Sequence, residues 1–157
     1  MLLLALLMPA LALPPLVVAA DEAEPGLRAW WREGDLLVGP AAGDPRPAVR
    51  PLASAAPVVL PSDMSAWRPL LAACNPQPAP VMFALEGADA TALVTPAAGT
   101  LVVRVQVAER VVAEGALGRP AEPCSLTVGQ ADGLPGLEVM LGWQTPAGVS
   151  GMTIFRI

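Results

Sequence analysis

The chain has 157 residues, with nine basic and fourteen acidic side chains, a net charge of −5 and a pI near 4.6. All nine basic residues are Arg, and His, Lys and Tyr are absent. No basic footprint for nucleic acid follows from such a balance. The nucleophile-activating pairs Ser-His, Cys-His and Ser-Lys, and the amine of a Schiff base, are excluded with it.

Aromatic residues make up 4% of the chain, so the core must come mostly from Val, Leu and Ala. Nineteen prolines favour short strands and turns over long helices. The length is that of one ordinary domain with a single core.

Residues 1–20 carry no charge and end in Val17-Val18-Ala19-Ala20. An apolar run before a small-residue site is the pattern of a secretory signal peptide, with cleavage expected after Ala20 and Ala10-Leu11-Ala12 as a second candidate site. The run is also long enough to span a bilayer, so a membrane anchor is the alternative. Pro9, Pro14 and Pro15 argue against a stable uncleaved helix. The acidic Asp21-Glu22-Ala23-Glu24 that follows suits the outer side of a membrane. The expected location is extracytoplasmic, periplasmic or secreted, with membrane contact only through residues 1–20.

Residues 21–61 read as a poorly regular, Pro/Ala-rich part. Leu27–Arg32 and Asp35–Gly39 form two expected strands around a tight turn at Glu33-Gly34. Residues 40–57 read as an extended, solvated loop, and Val58–Leu60 as a short strand.

Residues 62–157 read as a β-rich core. Ser62-Asp63 is a helix-start signal, and Met64, Trp67, Leu71 and Cys74 fall on one helical face. That spacing predicts a short helix over about 63–74; because Pro69 conflicts with an unbroken helix, the expected form is one turn to Arg68 and then a short helix opening near Pro69. Val81–Leu85 is the next strand. Ala92–Thr95 and Thr100–Val107 predict a hairpin with a four-residue loop at Pro96–Gly99. In its second strand Leu101, Val103, Val105 and Val107 share one face, and Arg104 and Gln106 the other. Residues 109–118 fit a strand and loop. Cys124, Leu126 and Val128 alternate with Ser125 and Thr127. Val139, Leu141 and Trp143 alternate with Glu138, Met140 and Gln144. Met152–Ile157 is the last strand. Thr95-Pro96-Ala97 recurs as Thr145-Pro146-Ala147, which turn chemistry alone accounts for. The fold class expected is mainly β: a small antiparallel β-sandwich or partly open barrel with one short helix.

Cys74 and Cys124 are the two cysteines. In an exported chain, both on apolar faces, they are expected to form a structural disulfide. Closing a loop of about 50 residues contributes roughly 4 kcal/mol in the chain-entropy model. A redox role is disfavoured, since a catalytic pair sits close in sequence.

No catalytic residue, metal site or cofactor is expected. There is no Walker loop and no Gly-x-Gly-x-x-Gly. Without His, and with the cysteines bridged, a zinc or copper site would have only carboxylates and Met. Carboxylate acid/base chemistry is what the composition leaves open. Glu86, Asp89 and Asp132 adjoin glycines and read first as turn residues. Tryptophan supplies the positive hint. Trp30 and Trp31 are adjacent, so a strand sends them to opposite faces, and one should be partly exposed. With Arg28 and Arg32 beside them they are the candidate ligand-binding set; core packing is the plainer role. The leading expectation is a non-catalytic exported module that binds another protein. The alternative is binding of an envelope glycan, as the outer domain of a larger envelope protein, and a carboxylate hydrolase comes third.

Overall fold

The computed structural model describes residues 11–12, 15–18, 27–33, 35–40, 48–51, 58–59, 63–69, 78–131 and 135–157. In chain order the strands begin with β1 (Leu11–Ala12), β2 (Pro15–Val18), β3 (Leu27–Arg32) and β4 (Asp35–Pro40). Next come β5 (Ala48–Pro51), β6 (Val58–Val59), β7 (Arg68–Pro69), β8 (Val81–Leu85) and β9 (Ala88–Ala97). The chain continues through β10 (Thr100–Val107), β11 (Arg110–Ala116), β12 (Glu122–Gly129), β13 (Glu138–Gln144) and β14 (Ser150–Arg156). The fold is mainly β, and two antiparallel sheets carry its core.

The first is a meander of β8, β9, β10 and β11, each paired with its neighbour in sequence. Two-residue turns join them at Glu86-Gly87, Ala98-Gly99 and Ala108-Glu109. Both residues of each turn have positive φ, from 48° to 81°. That is the type I′ geometry, whose twist matches the strands it connects. In the third turn neither residue is Gly, and a left-handed L-residue costs about 1 kcal/mol or more. The expected four-residue loop at 96–99 is therefore replaced by a tighter turn, and β9 runs on through Pro96 to Ala97. The β8 register stops opposite Ala92. From Leu93 onward β9 is paired, among the described residues, only with β10, the kind of strand margin where a proline is tolerated. Pro146, by contrast, lies in a turn closed by Gly148 N–H to the Thr145 carbonyl. The repeated tripeptide thus has two different structures.

The second sheet is β12-β13-β14, also antiparallel. It lies against the meander as a sandwich, and the sheets are not closed into a barrel. The seam holds Ala90, Ala92, Leu101, Val103, Val105 and Ala113 from the meander. Leu126, Val139, Leu141, Trp143 and Phe155 meet them from the second sheet. Among them Leu101, Val103, Val105, Leu126, Val139, Leu141 and Trp143 are alternate positions the sequence marks as one face. On the meander's other face Arg104 Nε donates to Glu114 Oε2 at 2.6 Å. Two short strands lengthen the sheets. β1 pairs in parallel with β11, and β2 pairs antiparallel with β14.

The opposite face of the second sheet is also covered, which its sequence alternation does not reveal. Met140, Met152 and Ile154 are buried there with Ala29 and Leu36 of an N-terminal sheet, ordered β6-β5-β4-β3-β7. Consequently β13 and β14 are buried on both faces. Strand β5 arises within the stretch expected to be loop, pairing Val38 with Arg50.

The helix expected over 63–74 is corrected in its described part: the one turn expected up to Arg68 is present, but the chain is extended, not helical, at Arg68–Pro69. Over 63–69 the chain makes one turn, with Ser65 N–H donating to Asp63 Oδ1 at 2.9 Å and Trp67 N–H to the Met64 carbonyl at 3.0 Å. It then enters β7 beside Trp30 and Trp31. The residue before a proline is pushed from helical to extended geometry, so Pro69 turns Arg68 into a strand residue. Residues 70–74 lie outside the described residues.

Candidate functional site

The four candidate binding residues all sit on β3, and the strand's alternation separates them. Trp31 points inward. Its indole Nε1–H donates to the Gln130 carbonyl at 2.7 Å. Its ring lies over Gly129, where a Cβ would stand 2.4 Å from Cζ2, so any other residue there requires the ring to shift. The Arg68 guanidinium stacks on the same ring at 5.4 Å from its centroid. This tryptophan is committed to packing and hydrogen bonding within the fold.

Trp30 belongs to the other face. It packs with Met64 and Trp67, and the Arg32 guanidinium lies 4.6 Å from the Trp67 centroid. Trp30 is half-buried and Trp67 is buried. The structure thus joins Trp30 and Arg32 with Trp67 and Met64, and sends Trp31 elsewhere. Arg28 pairs with Gly39 along the backbone; its side chain lies outside the described residues. A cation over an indole is attractive by about 0.5–1 kcal/mol at an exposed site, and it covers a face a sugar would need.

Glu138 is the one fully buried carboxylate among the described residues, at 1% exposure. Its Oε2 accepts from the Ala131 amide at 2.9 Å, and its Oε1 lies 3.6 Å from Arg156 Nε across the strand pair. The first contact ties Ala131 to β13, and the second joins β13 to β14. Glu86, Asp89, Glu109 and Glu122 are exposed. Among the described residues no three His, Cys, Asp or Glu side chains cluster as metal ligands. No described helix is long and apolar enough to cross a membrane.

Cys124 is buried on β12, where the register skips it between Pro123 and Ser125. Such a bulge re-aims the side chain it contains. Cys74 lies outside the described residues, and so does the expected bridge.

The sequence reading missed the feature that most resembles an interaction surface. Among the described residues, strand β8 ends the meander sheet. Its inward residues Val81, Phe83 and Leu85 pack on the sandwich core. Its outward residues are Met82 and Ala84, and Met82 is 77% exposed. It is the one large hydrophobic side chain exposed among the described residues. Edge strands are ordinarily guarded by charge, proline or a bulge. Val81-Met82-Phe83-Ala84-Leu85 has no charge and no proline, and its pairing with β9 is regular. The available signal was that uncharged run between Pro80 and Glu86, which becomes informative only once the strand is known to be at an edge.

No family model, no curated protein and no solved structure matches this chain.

Proposed function

We propose that this chain is an exported, non-catalytic module that binds another protein by accepting an extended strand along β8. The open, uncharged edge at Val81–Leu85 with Met82 exposed is the observation that carries this reading. Strand addition satisfies the free main-chain donors and acceptors of such an edge, and alternate side chains supply specificity. The absence of His, Lys and Tyr from the sequence supports the non-catalytic part.

Residues 1–20 direct export in this reading, and a Cys74–Cys124 disulfide forms outside the cytoplasm. Since β1 and β2 come from residues 11–18, cleavage after Ala20 would remove both strands. The intact mass of the exported protein distinguishes a cleaved leader from a retained one. It should be two hydrogens lighter before reduction than after.

The binding test uses the isotopically labelled full chain and two probes: a panel of nonameric extended peptides, and a panel of envelope glycans. Amide shifts confined to Val81–Leu85 and β9 on adding a peptide support strand addition. If no peptide shifts β8, while a glycan quenches tryptophan emission saturably and Trp30→Ala abolishes the quenching, the glycan reading replaces it.

A further inference from the structure

The edge just described is complementary to itself. We infer that β8 pairs antiparallel with β8 of a second copy, about a two-fold axis through Phe83. The inference rests on the reading of β8 as a strand-addition edge and names its partner.

The register follows from size and charge. About Phe83, Val81 faces Leu85 of the other copy, Met82 faces Ala84, and Phe83 faces Phe83. Every pair is apolar. On the outward face the protruding Met82, at 77% exposure, meets the smallest side chain of the strand. On the inward face two Phe83 rings, each already packed against its own core, become a cross-strand aromatic pair. Other registers are worse. Centring on Ala84 brings Glu86 against Met82. Centring on Met82 sets two methionines against each other. A slip of one residue would invert one copy, so that its core face continued the other's solvent face.

The pairing would join two meander sheets into one continuous sheet. A five-residue strand pair lies at the small end of specific interfaces, so the dimer should be concentration-dependent. Each copy carries a net charge of −5, but none of it lies on the strand. General repulsion therefore opposes the dimer without opposing its contact, and raising salt should strengthen association.

Sedimentation velocity of the full chain tests this, with two double variants. Met82→Glu with Ala84→Glu places like charges opposite each other twice across the axis, and Met82→Lys with Ala84→Lys does the same with positive charge. Wild type should pass from monomer to dimer with rising concentration. Each variant alone should dimerise about tenfold or more weakly. An equimolar mixture of the two variants should recover the dimer. That rescue separates loss of pairing from loss of folding. A wild type that stays monomeric at every concentration and salt, or acidic variants that dimerise like wild type, overturns self-pairing. A monomeric wild type whose β8 amides still shift with strand peptides would overturn self-pairing alone. Absence of both responses would overturn strand addition as well.

Discussion

The central sheet has two seams, and each is built on a tryptophan laid over a glycine. Toward the meander, Trp143 lies over its cross-strand neighbour Gly151, where a Cβ would stand 2.2 Å from the ring. Its indole N–H donates to Thr153 Oγ1 at 3.0 Å, and Arg119 stacks 5.2 Å from its centroid. Toward the N-terminal sheet, Trp31 lies over Gly129, bonds the Gln130 carbonyl and carries Arg68. The motif is the same, but the settings differ. Trp143 is fully buried, whereas Trp31 is half-buried. Trp143 reaches its glycine within one hairpin, but Trp31 reaches across to a strand far along the chain. The first indole is wholly enclosed, while the second keeps part of its surface open to water.

The largest effect should come from emptying the first seam. Trp143→Ala removes a completely buried ring from the centre of the aliphatic core. The expected loss is about 4 kcal/mol in urea unfolding. A loss under about 1 kcal/mol would mean that the seam collapses around the gap, and that Trp143 is not its keystone.

The two glycines test the contrast directly. Gly151→Ala forces a methyl against a ring that cannot move, and should cost about 3 kcal/mol. Gly129→Ala meets a ring that can swing outward, and should cost about 1 kcal/mol. The second cost should shrink in the Trp31→Ala background, since the three atoms nearest the new methyl all belong to that ring. Equal costs at both glycines would erase the distinction between a locked seam and an adjustable one.

Removing the indole donor without removing the ring sharpens the second seam further. Trp31→Phe leaves the Gln130 carbonyl without that donor and should cost about 1 kcal/mol. Tryptophan emission of the variant, compared with wild type, would show whether the remaining indoles stay in place.

Most of the first seam was legible in the sequence. Leu101, Val103, Val105, Val139, Leu141 and Trp143 alternate with polar or differently placed residues, and a period of two is a local signal. The second seam was not legible, because burial of a strand's other face depends on what another part of the chain does. Met140 and Met152 look like outward positions until Ala29, Leu36 and Trp31 are laid over them. Adaptable methionines fill that seam where the first uses branched aliphatics. The helix expected near Met64 and Trp67 fails for the opposite reason. A real i, i+3 pattern was present, but Pro69 ends the turn and passes the chain to β7. The candidate pair Trp30-Trp31 was divided between faces as strand geometry requires. The open edge at β8 could not be read, since a strand's rank within a sheet leaves no periodic mark.

The smallest effect concerns how Arg68 is delivered to Trp31. The turn that leads into β7 is held by Asp63, whose carboxylate accepts the Ser65 amide hydrogen bond. That bond, followed by the bond from the Ser65 side chain, holds the Asp63 carboxyl below its ordinary value of 3.8. A carboxylate depressed in the folded state stabilises the fold above the unfolded pKa, and the contribution is lost as pH falls through the folded pKa. Asp63 is fully exposed, so the contribution to global stability is small. Its local consequence is sharper: protonation should loosen the turn, and with it the Arg68 contact on Trp31. In a two-dimensional titration the Asp63 carboxyl should titrate below 3.8, with the Ser65 amide and the Trp31 indole N–H shifting along the same curve. Asp63→Asn can still cap the turn through its side-chain oxygen, but it no longer titrates, so the Trp31 response should flatten over that range. If the Trp31 indole shifts in the Asn variant as it does in wild type, β7 is positioned by its pairing with β3 alone, and the turn has no part in holding the second seam.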